Sequence, residues 1–126
     1  MARNYKELEI WKLGYDLALK FYKLTNKFPE HESDNLISQI RRASSSIPLN
    51  IAEGCSRRTK LSFLQFLTYA YGSLKELDVL VLLSRDLGYI NEEEYNELNE
   101  DIDKASRKMF KFMSFVEREK FFRWFK

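Results

Sequence analysis

Apolar residues recur every three or four positions in the last third of the sequence, and this spacing constrains the fold most strongly. Residues three and four apart lie on one side of an α-helix, so the pattern predicts a helix with one buried side. Asn91, with Glu94 three residues later, has the form of a capping box and should begin this helix. The predicted core positions are Tyr95, Leu98, Ile102, Ala105, Met109, Phe112 and Val116.

The same spacing predicts three earlier helices joined by short connections. Four glycines and two prolines in 126 residues are too few for the turns of a β-sandwich. We therefore predict an all-α, antiparallel up-down-up-down four-helix bundle over residues 1–120, followed by an aromatic and basic tail, 121–126. The first predicted helix spans Tyr5–Asn26. The second begins after a cap at Ser33 or Asp34 and ends at Gly54. The third begins after a cap at Thr59 and ends at Leu87, before Gly88.

Two of these helices are apolar on more than one side. In the first, the stripe containing Trp11 and Tyr15 lies nearly opposite the stripe containing Leu17 and Phe21, at about 100° per residue. In the third, the run LDVLVLL at 77–83 is apolar almost all round. A lone bundle buries one side of each helix, so the second apolar side predicts contact with another chain.

The stretch QIRRASSSIPLNIAEG, residues 39–54, combines helical spacing with unusual residues. Pro48 removes a backbone donor and crowds the carbonyl of Ser44, which predicts a bend whose freed carbonyl is bonded by a nearby serine hydroxyl. The small serines would let another backbone approach, and the alternative is a tolerated kink that faces solvent. A polar stripe runs beside the apolar one and consists of Gln39, Arg42, Ser46, Asn50 and Glu53.

Basic residues are concentrated in the second quarter of the chain. The candidates for phosphate binding are Arg41, Arg42, Arg57, Arg58 and Lys60. A guanidinium group binds phosphate through two hydrogen bonds, and the predicted helix start near residue 60 adds free N–H groups. The alternative is a solvated surface with scattered ion pairs. The fourth helix carries the opposite charge, with acids at Glu92, Glu93, Glu94, Glu97, Glu100, Asp101 and Asp103.

The residues that most enzymes and metal sites require are scarce. The sequence holds one histidine, His31, and one cysteine, Cys55. It has no glycine-rich phosphate loop and no serine elbow motif. We therefore expect no enzyme activity, no metal and no cofactor. The single cysteine, the charged N-terminus and the lack of an apolar run of about 18 residues favour a cytoplasmic protein without a membrane span.

Three segments resemble a known family: LEIWKLGYDLALKFYKLTNKFP, LISQIRRASSSIPLNIAEG and FLQFLTYAYGSLKELDVLV. The chain is similar to the S23-like four-helix-bundle proteins encoded within intervening sequences of bacterial 23S rRNA genes. The accessory proteins of diversity-generating retroelements belong to the same family. The resemblance implies a barrel-shaped homopentamer. It also implies, for the accessory branch, binding of nucleic acid and of a reverse transcriptase. The mild basicity of this chain, pI about 8.6, favours the intervening-sequence branch.

The leading hypothesis is a non-enzymatic homo-oligomer that binds RNA or DNA through the five basic residues. The alternative is a protein-interaction scaffold, or an accessory subunit such as that of a reverse transcriptase, in which the arginines serve assembly. The predicted oligomer interface contains Trp11, Tyr15, Ser46, Asn50, Glu53, Val79 and Leu83.

Overall fold

The computed structural model describes residues 4–119, and these residues contain four α-helices and no β-strand. The all-α prediction is confirmed for this part of the chain, and the predicted tail 121–126 lies outside it. Two short 3₁₀ turns precede α1 and α2. The helices are α1, Glu9–Thr25; α2, Leu36–Cys55; α3, Lys60–Asp86; and α4, Glu92–Arg118, and the turns are Tyr5–Glu7 and Glu30–Glu32.

One hydrophobic core lies between the four helices. Each helix packs against the next in sequence, and α1 also packs against α4. Most side chains predicted to face inward are buried, and Tyr95 and Phe112 of α4 pack against the core while only half-buried. Burying each large one stabilises the fold by about 1.5–3 kcal/mol relative to leaving it in water. The most deeply buried include Phe21, Ile40, Ile47, Ile51, Phe63, Leu67, Leu74, Leu77, Ile102 and Met109.

The predicted caps of α3 and α4 are confirmed. The Thr59 hydroxyl accepts a hydrogen bond from the backbone N–H of Ser62 at 3.1 Å. At α4, Asn91 and Glu94 each bond the other's backbone N–H, at 2.8 and 2.9 Å. Gly88 has φ +80°, the left-handed conformation expected after a helix. These starts were predictable because each cap uses residues within three positions of the helix.

The predicted starts of α1 and α2 are wrong. Tyr5–Glu7 forms a 3₁₀ turn, and the extended backbone at Leu8 delays α1 until Glu9. The second helix is capped neither by Ser33 nor by Asp34. Its first backbone N–H, on Leu36, instead donates at 3.4 Å to the carboxylate of Glu32 in the preceding turn.

α2 runs without interruption through Pro48, and α1 crosses it closely at this point. A Cβ atom built on Gly14 of α1 would lie 2.7 Å from Cγ2 of Ile47, so only glycine allows the observed approach. The serine hydroxyls bond the carbonyls of Arg41, Arg42 and Ala43, not that of Ser44. The predicted rescue of the Ser44 carbonyl by a neighbouring serine is therefore wrong.

Candidate nucleic-acid and oligomer interfaces

Arg41 is bound to α1. Its Nε donates to the Thr25 hydroxyl at 2.9 Å, and its Nη2 donates to the Asn26 side chain at 3.0 Å and to the Tyr22 carbonyl at 3.4 Å. The guanidinium also lies 5.1 Å from the centre of the Tyr22 ring. Binding a phosphate through Arg41 would require giving up these contacts, so the structure gives this residue a role in joining α1 to α2.

The polar stripe of α2 faces α3 within the same chain. Arg42 pairs with Glu76 at 3.3 Å, and the hydroxyls of Ser46 and Ser73 bond each other. Asn50 donates to the backbone carbonyl of Ser46 at 2.8 Å. The first two contacts hold α2 against α3, whereas the Asn50 bond lies within α2. A further role of Ser46 and Asn50 between chains stays a prediction.

The five predicted phosphate-binding residues do not form one patch. Arg41 and Arg42 lie in the first half of α2, whereas Arg57 and Arg58 follow its C-terminus. Fifteen residues of helix span about 22 Å. The basic cluster seen in the sequence is therefore divided between two places on the surface.

Lys60 fastens the start of α3 to the end of α4. Its ammonium donates to the main-chain carbonyls of Glu117 and Glu119, at 3.0 and 2.7 Å. Arg57 lies beside it, 3.4 Å from the Glu53 carboxylate and with its guanidinium carbon 4.4 Å from the Phe66 ring centre. Arg58 is exposed. We call this region, Arg57–Lys60 with the end of α4, the Lys60 end.

A buried carboxylate joins the two connections at the opposite end. Glu32 accepts hydrogen bonds from the Tyr89 hydroxyl at 2.7 Å and from the Asn35 side chain at 3.2 Å, besides its bond from Leu36. The bond from Tyr89 is the largest cause of a lowered pKa at Glu32, and the same bond raises the pKa of Tyr89. We call Glu32, Tyr89 and their partners the Glu32 end. Sequence reasoning missed it, because its partners are 57 positions apart.

An apolar groove of about 410 Å³ opens between α1 and α2. Trp11 and Tyr15 stack with ring centres 4.9 Å apart along one wall, and Leu49, 67% exposed, stands on the other. The stripe of α1 that was predicted to need a second partner thus lines this groove. Its lining residues are Tyr5, Trp11, Tyr15, Ala18, Leu19, Tyr22, Ser45, Pro48, Leu49 and Ala52.

A second apolar surface lies on α3. Val79 is 65% exposed, and Leu82 and Leu83 are exposed beside it, in the run that is apolar almost all round. We call these three residues the α3 patch. Water-exposed aliphatic side chains grouped on one helix are typical of a surface that another molecule covers.

Candidate metal ligands and membrane-spanning helices were sought among the described residues. Within 4–119, no group of three or more histidine, cysteine or acidic side chains is placed to hold a metal ion. No helix in this range is long and apolar enough to cross a membrane.

The packing of four helices around one core places the chain among all-α proteins of the four-helix type. More specifically, it belongs to the 23S rRNA-intervening sequence protein family, whose model matches residues 6–111. The family resemblance read from the sequence is confirmed.

The fold also resembles a solved structure. This is a crystal structure, at 1.70 Å resolution, of a protein of unknown function from the S23 ribosomal protein family of Bacteroides thetaiotaomicron VPI-5482. The two chains are 20% identical, with a TM-score of 0.77, and the match covers 83% of this chain and 95% of the other. At this identity the likeness concerns the fold alone. A comparison with curated proteins finds no match.

Proposed function

We propose that this chain is a non-enzymatic, homo-oligomeric bundle that binds RNA or DNA through phosphate contacts at the Lys60 end. The observation that carries the proposal is the position of Arg57 and Arg58 directly before α3. Free N–H groups and the helix dipole at the start of α3 favour anions there. Arginine adds bidentate bonding to phosphate. A cytoplasmic location belongs to the same proposal and is supported by the single cysteine, Cys55.

Salt-dependent binding tests this proposal. The double substitution Arg57→Ala with Arg58→Ala should weaken binding to a labelled structured RNA and reduce the dependence of affinity on salt by about 1 to 2 in logarithmic slope. Lys60 is left intact, because it also holds α4. The matched control is Lys23→Ala, an exposed lysine on α1. Unchanged affinity and slope in the double variant would overturn the assignment of this end.

The up-down-up-down topology is part of the proposal. Three ion pairs support it, two between α1 and α4 and one between Lys27, just after α1, and α4. Their residue numbers rise along the first segment as they fall along α4. They are Glu9 with Lys108, Lys20 with Asp101, and Lys27 with Glu94. Contacts of α2 with α3 follow the same order, since Arg42 meets Glu76 and Ser46 meets Ser73.

The proposed assembly is a homopentamer built from two different surfaces. The groove lies between α1 and α2, whereas the α3 patch lies on another helix. If the patch of one copy covers the groove of the next, the contact is heterologous and closes into a ring. The number five comes from the family resemblance. Repeating the Lys60 end around a ring would strengthen weak nucleic-acid binding through avidity.

Two exposed substitutions test the ring. Leu49→Lys should block the groove and Val79→Lys the α3 patch, so each should lower the mass measured by light scattering, while Val79→Thr should not. Each variant keeps one intact surface. A mixture of the two should therefore form a heterodimer if the contact is heterologous. Unchanged mass in both variants would contradict the proposal.

A second candidate function is a protein-interaction scaffold, including an accessory role beside a reverse transcriptase. The observation in its favour is that Arg41 and Arg42 are already engaged within the chain, while Glu92, Glu93, Glu97 and Glu100 are exposed on α4. No nucleic-acid binding at low salt, together with an intact oligomer, would favour this candidate over the first.

A further inference from the structure

The charge on the exposed side of α4 changes from negative to positive along the helix. Its first half carries the seven acids noted above, and residues 104–118 carry five basic residues, of which Lys108 pairs with Glu9 of α1 and the other four share one side. Their spacing of three, four and seven positions places these four within about 60° of the helix circumference. All four are exposed, and we call them the α4 ridge: Lys104, Arg107, Lys111 and Arg118.

Most of the ridge charge is not neutralised by the residues that the structure describes. Among residues 4–119, Arg107 pairs with Asp103 at 3.0 Å, in a contact where both side chains are about two-thirds exposed. Such a pair is weak and exchanges readily for another anion. In the same range, Lys104, Lys111 and Arg118 make no ion pair within 4.0 Å. The ridge therefore presents positive charge to an external partner.

An aromatic ring lies beside the ridge. Phe110 is 61% exposed, more than Phe115, the other exposed phenylalanine of α4, at 43%. A water-exposed phenylalanine beside the basic ridge offers a flat surface for stacking, which a base of a single-stranded nucleic acid can use and a paired base cannot.

We propose that the α4 ridge and Phe110 bind single-stranded nucleic acid, with phosphates on the basic side chains and a base on the Phe110 ring. This inference rests on the proposed function and gives it a substrate class. The ridge is about 21 Å long, the span of roughly six stacked nucleotides. It runs toward the Lys60 end, because Lys60 holds the end of α4 beside Arg57 and Arg58.

Other partners fit the same surface less well. A membrane surface needs a broad apolar face on the bound helix, but the apolar face of α4 is buried in the core. The acidic half of α4 from a second copy would satisfy the charges and leave the Phe110 ring unused. The combination of cations and an exposed ring favours single-stranded nucleic acid.

The test compares three labelled probes at equal length: a 12-nucleotide oligouridylate, the same backbone without bases, and a 12-base-pair duplex. Phe110→Ala should weaken binding of oligouridylate by about tenfold and leave binding of the abasic probe unchanged, because only stacking is removed. Phe110→Trp should restore the affinity. Lys111→Ala with Arg118→Ala should weaken binding of both single-stranded probes and lower the salt slope by about 1.4. Thermal unfolding checks that each variant is folded.

The outcomes separate this inference from the proposed function. If the wild type binds none of the probes at low salt, both fail. If the Arg57/Arg58 variant loses affinity while the Phe110 and ridge variants do not, the Lys60 end stands and the ridge proposal is overturned. The proposal also fails if the ridge substitutions alter only the oligomer mass, because that result would assign the ridge to contact between copies.

Discussion

The two ends of the four-helix fold are stabilised by different contacts. At the Glu32 end, one carboxylate collects three hydrogen bonds and its side chain is only 11% exposed. At the Lys60 end, an ammonium donates to two main-chain carbonyls, and Arg58 beside it is exposed. A buried polar group with several partners fixes geometry, whereas exposed charges remain available to bind. The Glu32 end therefore fixes structure, and the Lys60 end is the one proposed to bind nucleic acid.

The largest expected effect comes from Glu32→Gln. The neutral amide cannot replace the charge-assisted bonds from Tyr89, Asn35 and Leu36, so Tm at pH 7 should fall more than for any single substitution at the Lys60 end. Differential scanning calorimetry of Glu32→Gln and Arg58→Ala measures the contrast. Equal Tm values for the two variants would show that the ends do not differ as described.

The pH dependence of this effect has a definite sign. The bond from Tyr89 lowers the pKa of Glu32 below its ordinary value of 4.5, so its stabilisation is complete above pH 4.5 and is lost as pH falls through the folded-state pKa. The Tm difference between wild type and Glu32→Gln should therefore shrink from pH 7 to pH 3.

Arg41 and Arg42 are adjacent and should behave differently. Arg41→Ala removes the bonds to Thr25 and Asn26 and should lower the free energy of unfolding by about 1–2 kcal/mol. Arg42→Ala breaks an exposed pair with Glu76 and should cost no more than about 0.5 kcal/mol. Urea unfolding distinguishes them. RNA affinity should be unaffected by Arg41→Ala. A loss of RNA affinity without a loss of stability would show that Arg41 belongs to the nucleic-acid-binding site.

An effect smaller than that of Arg41→Ala is expected at Lys60. Lys60→Met keeps the aliphatic stem and removes the ammonium. The last carbonyls of α4 then accept hydrogen bonds from water instead. The cost should be about 0.5–1 kcal/mol, with faster hydrogen exchange confined to the final turn of α4. Faster exchange at the Glu32 end as well would mean that the two ends are coupled.

Local signals in the sequence predicted the fold well. The caps at Thr59 and Asn91 and the turn at Gly88 were correct, because each depends on residues a few positions apart. The starts of α1 and α2 were wrong, because a 3₁₀ turn and the Glu32 carboxylate replaced the expected caps. Both depend on tertiary geometry as well as on local sequence.

The candidate sites were less predictable. Nothing in the sequence shows that Arg41 is engaged by Thr25 and Asn26, since those partners lie on another helix 15 and 16 positions away. The basic half of α4 was detectable, because its four cations follow the acids at helical spacing. The sequence does not show that Phe110 is exposed, and this exposure is the observation that separates the proposed ridge site from an ordinary solvated face.

The side chain at position 14 sets how closely α1 and α2 can approach each other. The missing side chain lets α1 approach Ile47 closely, and the same two helices form the walls of the apolar groove. Adding one methyl group at this position would act as a wedge, widening the groove while every residue that lines it stays the same. A change at one buried glycine would therefore alter which surface fits the groove without any change in surface chemistry.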